Sequence, residues 1–188
     1  MKGRIWTVPN QITFLRLGFL PIFLMLIAYD RYRWALLVLV VSGLSDGIDG
    51  LLARSLNQRS ALGAYLDPIA DKLLLSSSFV ILAFKKELAW WLTIIVLSRD
   101  VLILVVAVVI ILIWGYRPFP PSLLGKMTTF FQIVLVFTVV LGAAYPNALL
   151  GSIKQILIYF VAALATVSAF HYSVSIARSL SSPASPTS

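Results

Sequence analysis

The sequence predicts an all-α integral membrane protein, built as a bundle of six transmembrane helices. Two observations carry this prediction. Hydrophobic residues make up 60% of the 188 residues and the mean hydropathy is +0.97, whereas soluble domains are closer to half apolar. Apolar stretches long enough to cross a bilayer core of about 30 Å, which takes about 20 helical residues, recur along the whole chain.

Short polar or proline-containing segments separate the apolar stretches and predict where each helix ends. Because these connections are short, consecutive helices should be antiparallel neighbours within one domain, residues 1–180. Residues 181–188 are rich in serine and proline and predict a disordered tail. In chain order, the predicted spans and the breaks that follow them are 12–29 ("YDRYR"), 34–54 ("NQRS"), 61–84 ("KKE"), 88–114 ("GYRPFPPS"), 122–144 ("YPNA") and 151–178.

The charge balance narrows the set of partners. The net charge is +8 and there is no cysteine, which excludes disulfides and thiolate metal sites. In a membrane protein, excess positive charge favours contact with anionic lipid headgroups or a phosphorylated substrate. Nucleic acid is not expected, since no basic run accompanies the charge. Lysine and arginine flank both sides of the predicted bundle almost equally. Their small bias favours cytoplasmic termini in a bacterial-type cell membrane.

Four of the seven acidic residues lie in one stretch, "LSDGIDGLLARSLNQRSALGAYLDPIADKLL". At 100° per residue, Asp46 and Asp49 share a face at the end of the second span. Asp67 and Asp71 are four residues apart and share a face near the start of the third. Because the connection between these spans is short, the two acidic faces should meet in a polar cleft open to one side.

Clustered carboxylates in a membrane are costly and usually functional, and a divalent cation would remove their mutual repulsion. Oxygen ligands without cysteine or histidine favour Mg²⁺, Mn²⁺ or Ca²⁺ over zinc. Two such ions could bridge the two helices, and Mg²⁺ usually holds substrate phosphates as well. The aspartates therefore predict a metal-binding cleft for a phosphorylated substrate.

Small residues flank the same surface and have two interpretations. They either let helices pack closely or leave space for a bulky ligand beside the aspartates. Arg54 either holds a diphosphate or anchors the helix at the membrane interface. The small residues are Gly47, Gly50, Ala53 and Gly63.

The acidic stretch resembles the CDP-alcohol phosphotransferase family. It matches the family signature D-x2-D-G-x2-A-R-x8-G-x3-D-x3-D without departures in type or spacing. The segments "VPNQITFLRL", "LDPIADK", "SRD" and "GKMTTFFQ" also have counterparts there, so the resemblance covers nearly the full chain. The signature positions are Asp46, Asp49, Gly50, Ala53, Arg54, Gly63, Asp67 and Asp71.

The resemblance implies a reaction in which an alcohol displaces CMP from CDP-diacylglycerol and a phosphodiester forms. It implies that Asp71 is the general base and that two Mg²⁺ or Mn²⁺ ions act as cofactors. It also implies a homodimer. The implied metal ligands are Asp46, Asp49, Asp67 and Asp71, and the implied nucleotide-binding residues are Gly47, Gly50, Ala53, Arg54 and Gly63.

Three cations outside the signature, Arg16, Arg99 and Lys126, suggest an acceptor that carries a phosphate. Each has another interpretation, such as an ion pair for Arg99 or snorkelling for Lys126. Arg99 is not expected to pair well with Asp100, because adjacent helical residues point about 100° apart. Glycerol 3-phosphate, yielding phosphatidylglycerophosphate, is the simplest acceptor. Phosphatidylglycerol, yielding cardiolipin, is the rival, because "SRDVLIL" resembles the CMP-forming cardiolipin synthases.

A small cation channel or transporter is the alternative from a different class. It predicts acidic residues spread through the membrane depth and an inverted repeat. In this sequence the acidic residues cluster at one depth and no repeat is visible. Both features favour the enzyme.

Overall fold

The computed structural model is entirely α-helical over the part of the chain that it describes. It describes the backbone of residues 8–56, 61–114 and 123–181, and the side chains of residues 18–45, 72–105 and 123–172. The helices are α1 (Val8–Ala28), α2 (Tyr32–Leu56), α3 (Ala61–Phe84), α4 (Trp90–Trp114), α5 (Leu123–Ala144) and α6 (Ala148–Ser181).

Each helix corresponds to one predicted span, and the all-α, six-helix architecture is confirmed for the described residues. The largest difference is at α1, which begins at Val8 rather than at residue 12. Hydropathy marks only the apolar part of a helix, and a proline such as Pro9 is tolerated in a first helical turn, where its missing N–H has no intrahelical partner. The predicted breaks at 57–60 and 115–122, and residues 182–188 of the predicted tail, lie outside the described residues.

Two helical segments are long and apolar enough to cross a membrane when only the described side chains are considered. They are Leu123–Ala144, with a mean hydropathy of 2.0, and Ala148–Tyr172, with a mean hydropathy of 1.8. Shorter apolar stretches lie in α1, α2 and α3. Large apolar side chains point outwards as well: Leu104 is 62% exposed and Phe170 72%. Such surfaces are unusual on a soluble monomer.

The helices pack around a core towards the end of the bundle where α1 connects to α2. Helix α1 packs against α2 and α3, α5 against α2, α3 and α6, and α4 against α3 and α6. Burying each large apolar side chain contributes about 1.5–3 kcal/mol. The buried core residues include Phe23, Ile27, Phe79, Leu82, Leu92, Val96, Leu135, Val139, Ile158 and Val161.

Ion pairs join the helix connections at this end of the bundle. Lys85 Nζ lies 2.6 Å from Asp30 Oδ1, and Lys154 Nζ lies 2.9 Å from Glu87 Oε2. The Arg33 guanidinium lies over the ring of Tyr145, 5.2 Å from its centroid. Exposed pairs of this kind contribute at most about 1 kcal/mol each. The Lys85–Asp30 pair connects the end of α3 to the end of α1, and the Lys154–Glu87 pair connects α6 to the start of α4.

Helices α1 and α3 both end in a Schellman motif whose left-handed residue is not glycine. Asp30 has φ 59° and Lys86 has φ 60°. At the end of α3, the Lys86 N–H donates to Ala83 O and the Glu87 N–H donates to Leu82 O. This backbone conformation costs an ordinary L-residue about 1–2 kcal/mol relative to glycine.

We therefore expect Lys86→Gly to stabilise the protein by about 1 kcal/mol, which corresponds to a rise of about 2–4 °C in Tm for a chain of this size. Thermal unfolding of the purified protein in detergent measures the shift. Lys85→Gly is the matched control, because Lys85 lacks the positive φ and supports the Asp30 ion pair. That variant should have a lower Tm, and equal shifts in both variants would contradict the explanation.

Candidate active site

The two carboxylate pairs lie on helices that are consecutive in the chain, at the end of α2 and near the start of α3. Asp46 and Asp49 belong to α2, and Asp67 and Asp71 to α3. Their side chains lie outside the described set, and the described side chains contain no cluster of three or more His, Cys, Asp or Glu. The helical backbone gives each pair the spacing, i to i+3 or i+4, that puts two side chains on one face.

The donor set fits a hard divalent ion. All four candidate ligands are carboxylates, and helical register gives each pair a common face. Oxygen-only sites of this kind suit Mg²⁺ or Mn²⁺. The residues that would hold the ions and the nucleotide remain predictions: Asp46, Asp49, Asp67, Asp71, Gly47, Gly50, Ala53, Arg54 and Gly63.

A cationic pocket of about 450 Å³ lies between α3, α4, α5 and α6. Lys72, Arg99 and Lys126 line it, and each comes from a different helix. Lys72 directly follows Asp71 in the sequence of α3. Of the predicted acceptor residues, the structure thus brings Arg99 and Lys126 together. Arg16 belongs to α1, and its side chain lies outside the described set.

The expectation that Arg99 and Asp100 do not pair well is wrong. Arg99 Nη1 donates to Asp100 Oδ1 at 2.6 Å, and Lys72 Nζ donates to the same oxygen at 2.7 Å. The Cβ directions of neighbouring helical residues diverge, but the arginine side chain is long enough to fold back to the carboxylate. Arg99 Nη2 also donates to Ser168 Oγ on α6 at 3.2 Å. Arg99 is therefore held in place by α4 and α6 together.

The pocket has more positive than negative charge among the described side chains. Three cations line the pocket, and Asp100, which pairs with Lys72 and Arg99, is the one described carboxylate beside them, so the formal excess is two positive charges. Arg99 is only 4% exposed, and its buried Nε has no hydrogen-bond partner. A buried charged donor without a partner is costly. A bound anion would satisfy both the charge and this donor.

An apolar cavity of about 440 Å³ lies beside the carboxylate-bearing ends, between α2, α3 and α5. Leu44 and Leu74 line it near the aspartates, and Ile133 and Thr129 border both this cavity and the cationic pocket. Gly43 also lines the cavity, and a Cβ placed there would meet no atom within 4 Å. The cavity has the volume and the apolar lining to accept a hydrocarbon chain next to the cationic pocket.

Sequence reasoning did not include Lys72, Ser168 or Tyr172 among the site residues. Lys72 follows Asp71 directly, and that position was a usable signal. Ser168 and Tyr172 are polar residues four apart on α6, a spacing that gives them one helix face. Tyr172 lines the cationic pocket. No sequence signal shows that Ser168 would support an arginine from α4.

The fold and the site together define a class of protein. The helical bundle has exposed apolar faces, carboxylates on two consecutive helices and a pocket that attracts anions. This combination is suited to a membrane-associated enzyme that handles phosphorylated lipids. The chain belongs to the CDP-alcohol phosphatidyltransferase family, whose sequence profile matches residues 6–167.

Similar proteins agree with this membership. The CMP-forming cardiolipin synthase of Streptomyces coelicolor is 42% identical over 133 residues, which cover 68% of this chain and 61% of that protein. The human CMP-forming cardiolipin synthase is 34% identical over 187 residues, 89% of this chain and 60% of that protein. The chain thus spans about three fifths of the length of both relatives.

A relative with another name is only slightly less similar. A probable phosphatidylglycerophosphate synthase of Mycobacterium tuberculosis is 32% identical over 153 residues, 77% of this chain and 71% of that protein. The predicted membership of the CDP-alcohol phosphatidyltransferase family is confirmed. Members of this family generally depend on divalent metals and use CDP-alcohols with phosphorylated alcohols.

Proposed function

We propose that this protein transfers the phosphatidyl group of CDP-diacylglycerol to phosphatidylglycerol and thereby forms cardiolipin and CMP. Phosphatidylglycerol is chosen as the acceptor because the cationic pocket has an apolar surface at its border. Lys72, Arg99 and Lys126 supply positive charge, while Phe130 and Ile133, which also line the pocket, are 57% and 50% exposed. An acceptor that is both anionic and lipid-bound fits this combination.

The acceptor phosphate would lie among the cations. Asp100 holds both Arg99 and Lys72 through one oxygen, and Ser168 holds the other end of the guanidinium. The guanidinium is therefore oriented before the acceptor arrives, which lowers the entropy lost on binding. The apolar cavity between α2, α3 and α5 supplies room for an acyl chain of either lipid substrate.

The reaction itself takes place at the carboxylate faces of α2 and α3. Asp71 would accept the proton of the attacking hydroxyl, whose oxygen forms a bond to the phosphorus of the phosphatidyl group. The bond from that phosphorus to the bridging oxygen breaks, and CMP leaves with the electron pair. Mg²⁺ or Mn²⁺ ions held by the four aspartates would neutralise the diphosphate and the departing CMP.

The residues around the carboxylates would position the nucleotide. Gly47 and Gly50 on α2 and Gly63 on α3 leave space for cytidine, and Arg54 lies one residue beyond Ala53, where it would reach the phosphates. Holding the hydroxyl and the phosphorus in a reactive arrangement contributes more than the basicity of Asp71, because contact with a cation lowers the pKa of a carboxylate.

Glycerol 3-phosphate is the second candidate acceptor and would yield phosphatidylglycerophosphate. The formal excess of two positive charges in the pocket matches a phosphate monoester, which carries nearly two negative charges near pH 7. The similarity to a probable phosphatidylglycerophosphate synthase also supports it. Phosphatidylglycerol comes first because the Streptomyces relative is more similar and because the pocket borders exposed apolar side chains.

We further propose that all six helices cross the membrane, with the carboxylate end towards the cytoplasm, and that the protein is a homodimer. The exposed apolar side chains of α1 to α4 support six spans, because Met25, Val40, Leu73 and Val101 all lie on outer faces. The orientation and the dimer rest on the small charge bias and on the family resemblance, respectively.

A radiolabelled-acceptor assay on the purified protein decides between the two acceptors. Phosphatidylglycerol and glycerol 3-phosphate are offered in parallel, each with CDP-diacylglycerol and Mg²⁺. We expect cardiolipin from phosphatidylglycerol, with CMP in equal amount. Product from glycerol 3-phosphate alone would replace the first candidate with the second. No product from either acceptor would overturn the proposed function.

Arg99→Ala should raise the KM for the acceptor at least about tenfold, because a charge-assisted hydrogen bond contributes about 1.5–3 kcal/mol. The KM for CDP-diacylglycerol should change little. Arg33→Ala is the matched control, since Arg33 stacks on Tyr145 at the other end of the bundle. Steady-state kinetics of both variants measure the effect. An unchanged acceptor KM in Arg99→Ala would remove Arg99 from the acceptor site.

A further inference from the structure

A third cavity, at the end of the bundle away from the aspartates of α2 and α3, lies along the outer face of α1. Its volume is about 480 Å³, and its apolar lining comes from Ile22, Met25, Leu26 and Tyr29. These residues have the spacing i, i+3, i+4 and i+7, so they form one stripe on the helix. The stripe extends about 10 Å along the helix axis. We call this cavity and its lining the α1 groove.

The opposite side of α1 faces the core, which separates the α1 groove from the interior of the bundle. Phe23 is 1% exposed and Ile27 is fully buried. Met25 is 58% exposed and Tyr29 73%. The groove is therefore an outer surface of the bundle, where it would meet lipid chains if α1 spans the membrane.

One cation stands at the end of the α1 groove. Arg31 lines it and is the residue that follows the left-handed Asp30 in the Schellman motif of α1. Its backbone N–H donates to Leu26 O at 2.7 Å, and Leu26 lines the same groove. The helix end therefore fixes the Arg31 backbone at the mouth of the groove.

The charges around Arg31 leave it available to an anion. Of the two acidic residues at this end, Asp30 pairs with Lys85 and Glu87 pairs with Lys154. The described contacts give the Arg31 guanidinium no acidic partner. Among the described residues at this end, Arg33 and Lys86 also lack an acidic partner, and Arg33 lies over the ring of Tyr145.

We infer that the α1 groove binds one anionic phospholipid, with its phosphate at Arg31 and an acyl chain along Ile22, Met25 and Leu26. This site lies at the end of the bundle opposite the carboxylates, and it does not depend on the proposed reaction. A zwitterionic phospholipid fits less well, because its own ammonium group would meet the positive charge of Arg31. The chemistry thus selects the headgroup by net charge.

Photolabelling tests this site without using the enzymatic activity. The purified full-length protein is reconstituted in phosphatidylcholine vesicles that contain a trace of phosphatidylserine with a photoreactive acyl chain. After illumination, mass spectrometry maps the labelled peptides. We expect labelling of the α1 segment 22–29, and competition by unlabelled phosphatidylserine but not by added phosphatidylcholine.

Two variants separate the groove from the general surface charge. Arg31→Gln should lower the α1 labelling about fivefold, the effect expected of one basic residue near anionic headgroups. Lys86→Gln is the matched control, because Lys86 lies at the same end but does not line the groove, and it should leave the labelling unchanged. Thermal unfolding in parallel shows that both variants are folded.

Three outcomes would overturn the inference. The first is equal loss of labelling in both variants, which would indicate only surface charge. The second is equal α1 labelling by a photoreactive phosphatidylcholine. The third is a cross-link from α1 to a second copy of the chain with no lipid label, which would make the groove a protein contact. Labelling near Lys126 reports a different pocket and does not bear on the α1 groove.

Discussion

Asp71→Asn is expected to lower turnover by at least about 10²–10⁴-fold, the contribution of a general base. The amide that replaces the Asp71 carboxylate on α3 cannot take up the proton of the attacking hydroxyl. Binding of CDP-diacylglycerol should largely survive, because the step that needs Asp71 is removal of the proton from the acceptor hydroxyl, and the acceptor takes no part in this binding. Single-turnover CMP release measures the first effect, and equilibrium binding of the CDP-lipid measures the second.

The control for this prediction is Asp100→Asn, which removes a carboxylate charge from the same region without touching the proposed base. Asp100 lies on α4, 2.7 Å from Lys72 Nζ, and its loss should alter the KM of the acceptor more than the chemical step. Wild-type turnover in Asp71→Asn would exclude Asp71 as the base. A loss of CDP-lipid binding equal to the loss of turnover would assign it to metal or nucleotide binding alone.

Asp46→Asn should weaken metal binding and nucleotide binding together. Mutation of groups that only support a metal ligand typically costs 10–100-fold in affinity, so loss of a ligand should cost at least about 100-fold. Since the diphosphate is held through the same ions, the affinity for CDP-diacylglycerol should fall in parallel and recover in part at high Mg²⁺. Titrations of Mg²⁺ and of the CDP-lipid, each at fixed concentrations of the other, measure this coupling.

The response to added Mg²⁺ should distinguish Asp46→Asn from Asp71→Asn. Asp46→Asn should be partly rescued by excess Mg²⁺, whereas Asp71→Asn should not, because its defect is in proton transfer. Asp30→Asn, at the opposite end of the bundle, should leave the Mg²⁺ requirement as it is. If Asp46→Asn kept the wild-type affinity for both ligands, Asp46 would not be a metal ligand.

The helices and the family were predictable from the sequence because the signals are local and repeated. The apolar stretches and their breaks place every helix within four residues of its observed bounds. The signature that contains Asp46 and Asp71 depends only on spacing along the chain, and the family match over residues 6–167 agrees with it.

The contacts around Arg99 were not predictable, because they depend on which helices meet. The Arg99–Asp100 pair contradicts the expectation from helix geometry, since Cβ directions do not limit the reach of a long side chain. The contact of Arg99 with Ser168 joins residues 69 positions apart, and no pattern in the sequence encodes it. The shared oxygen of Asp100, which also binds Lys72, likewise required the packing of α3 against α4.

The α1 groove was not predictable from the sequence either. The stripe from Ile22 to Tyr29 is visible in the sequence as a helical period, but any transmembrane helix has such a stripe. What distinguishes the groove is its cavity and the position of Arg31 at its end. That position follows from the Schellman motif at Asp30, which takes the left-handed conformation without being glycine.

The most direct test of the central claim measures release of CMP from CDP-diacylglycerol by the purified protein in the presence of phosphatidylglycerol. Mg²⁺ is first removed with a chelator and then restored. We predict no CMP in the chelator, and CMP with an equal amount of phosphodiester product once Mg²⁺ or Mn²⁺ is returned. Product formation that continues unchanged in the chelator would contradict the metal-bearing carboxylate site, and absence of CMP under every condition would contradict the phosphatidyl transfer itself.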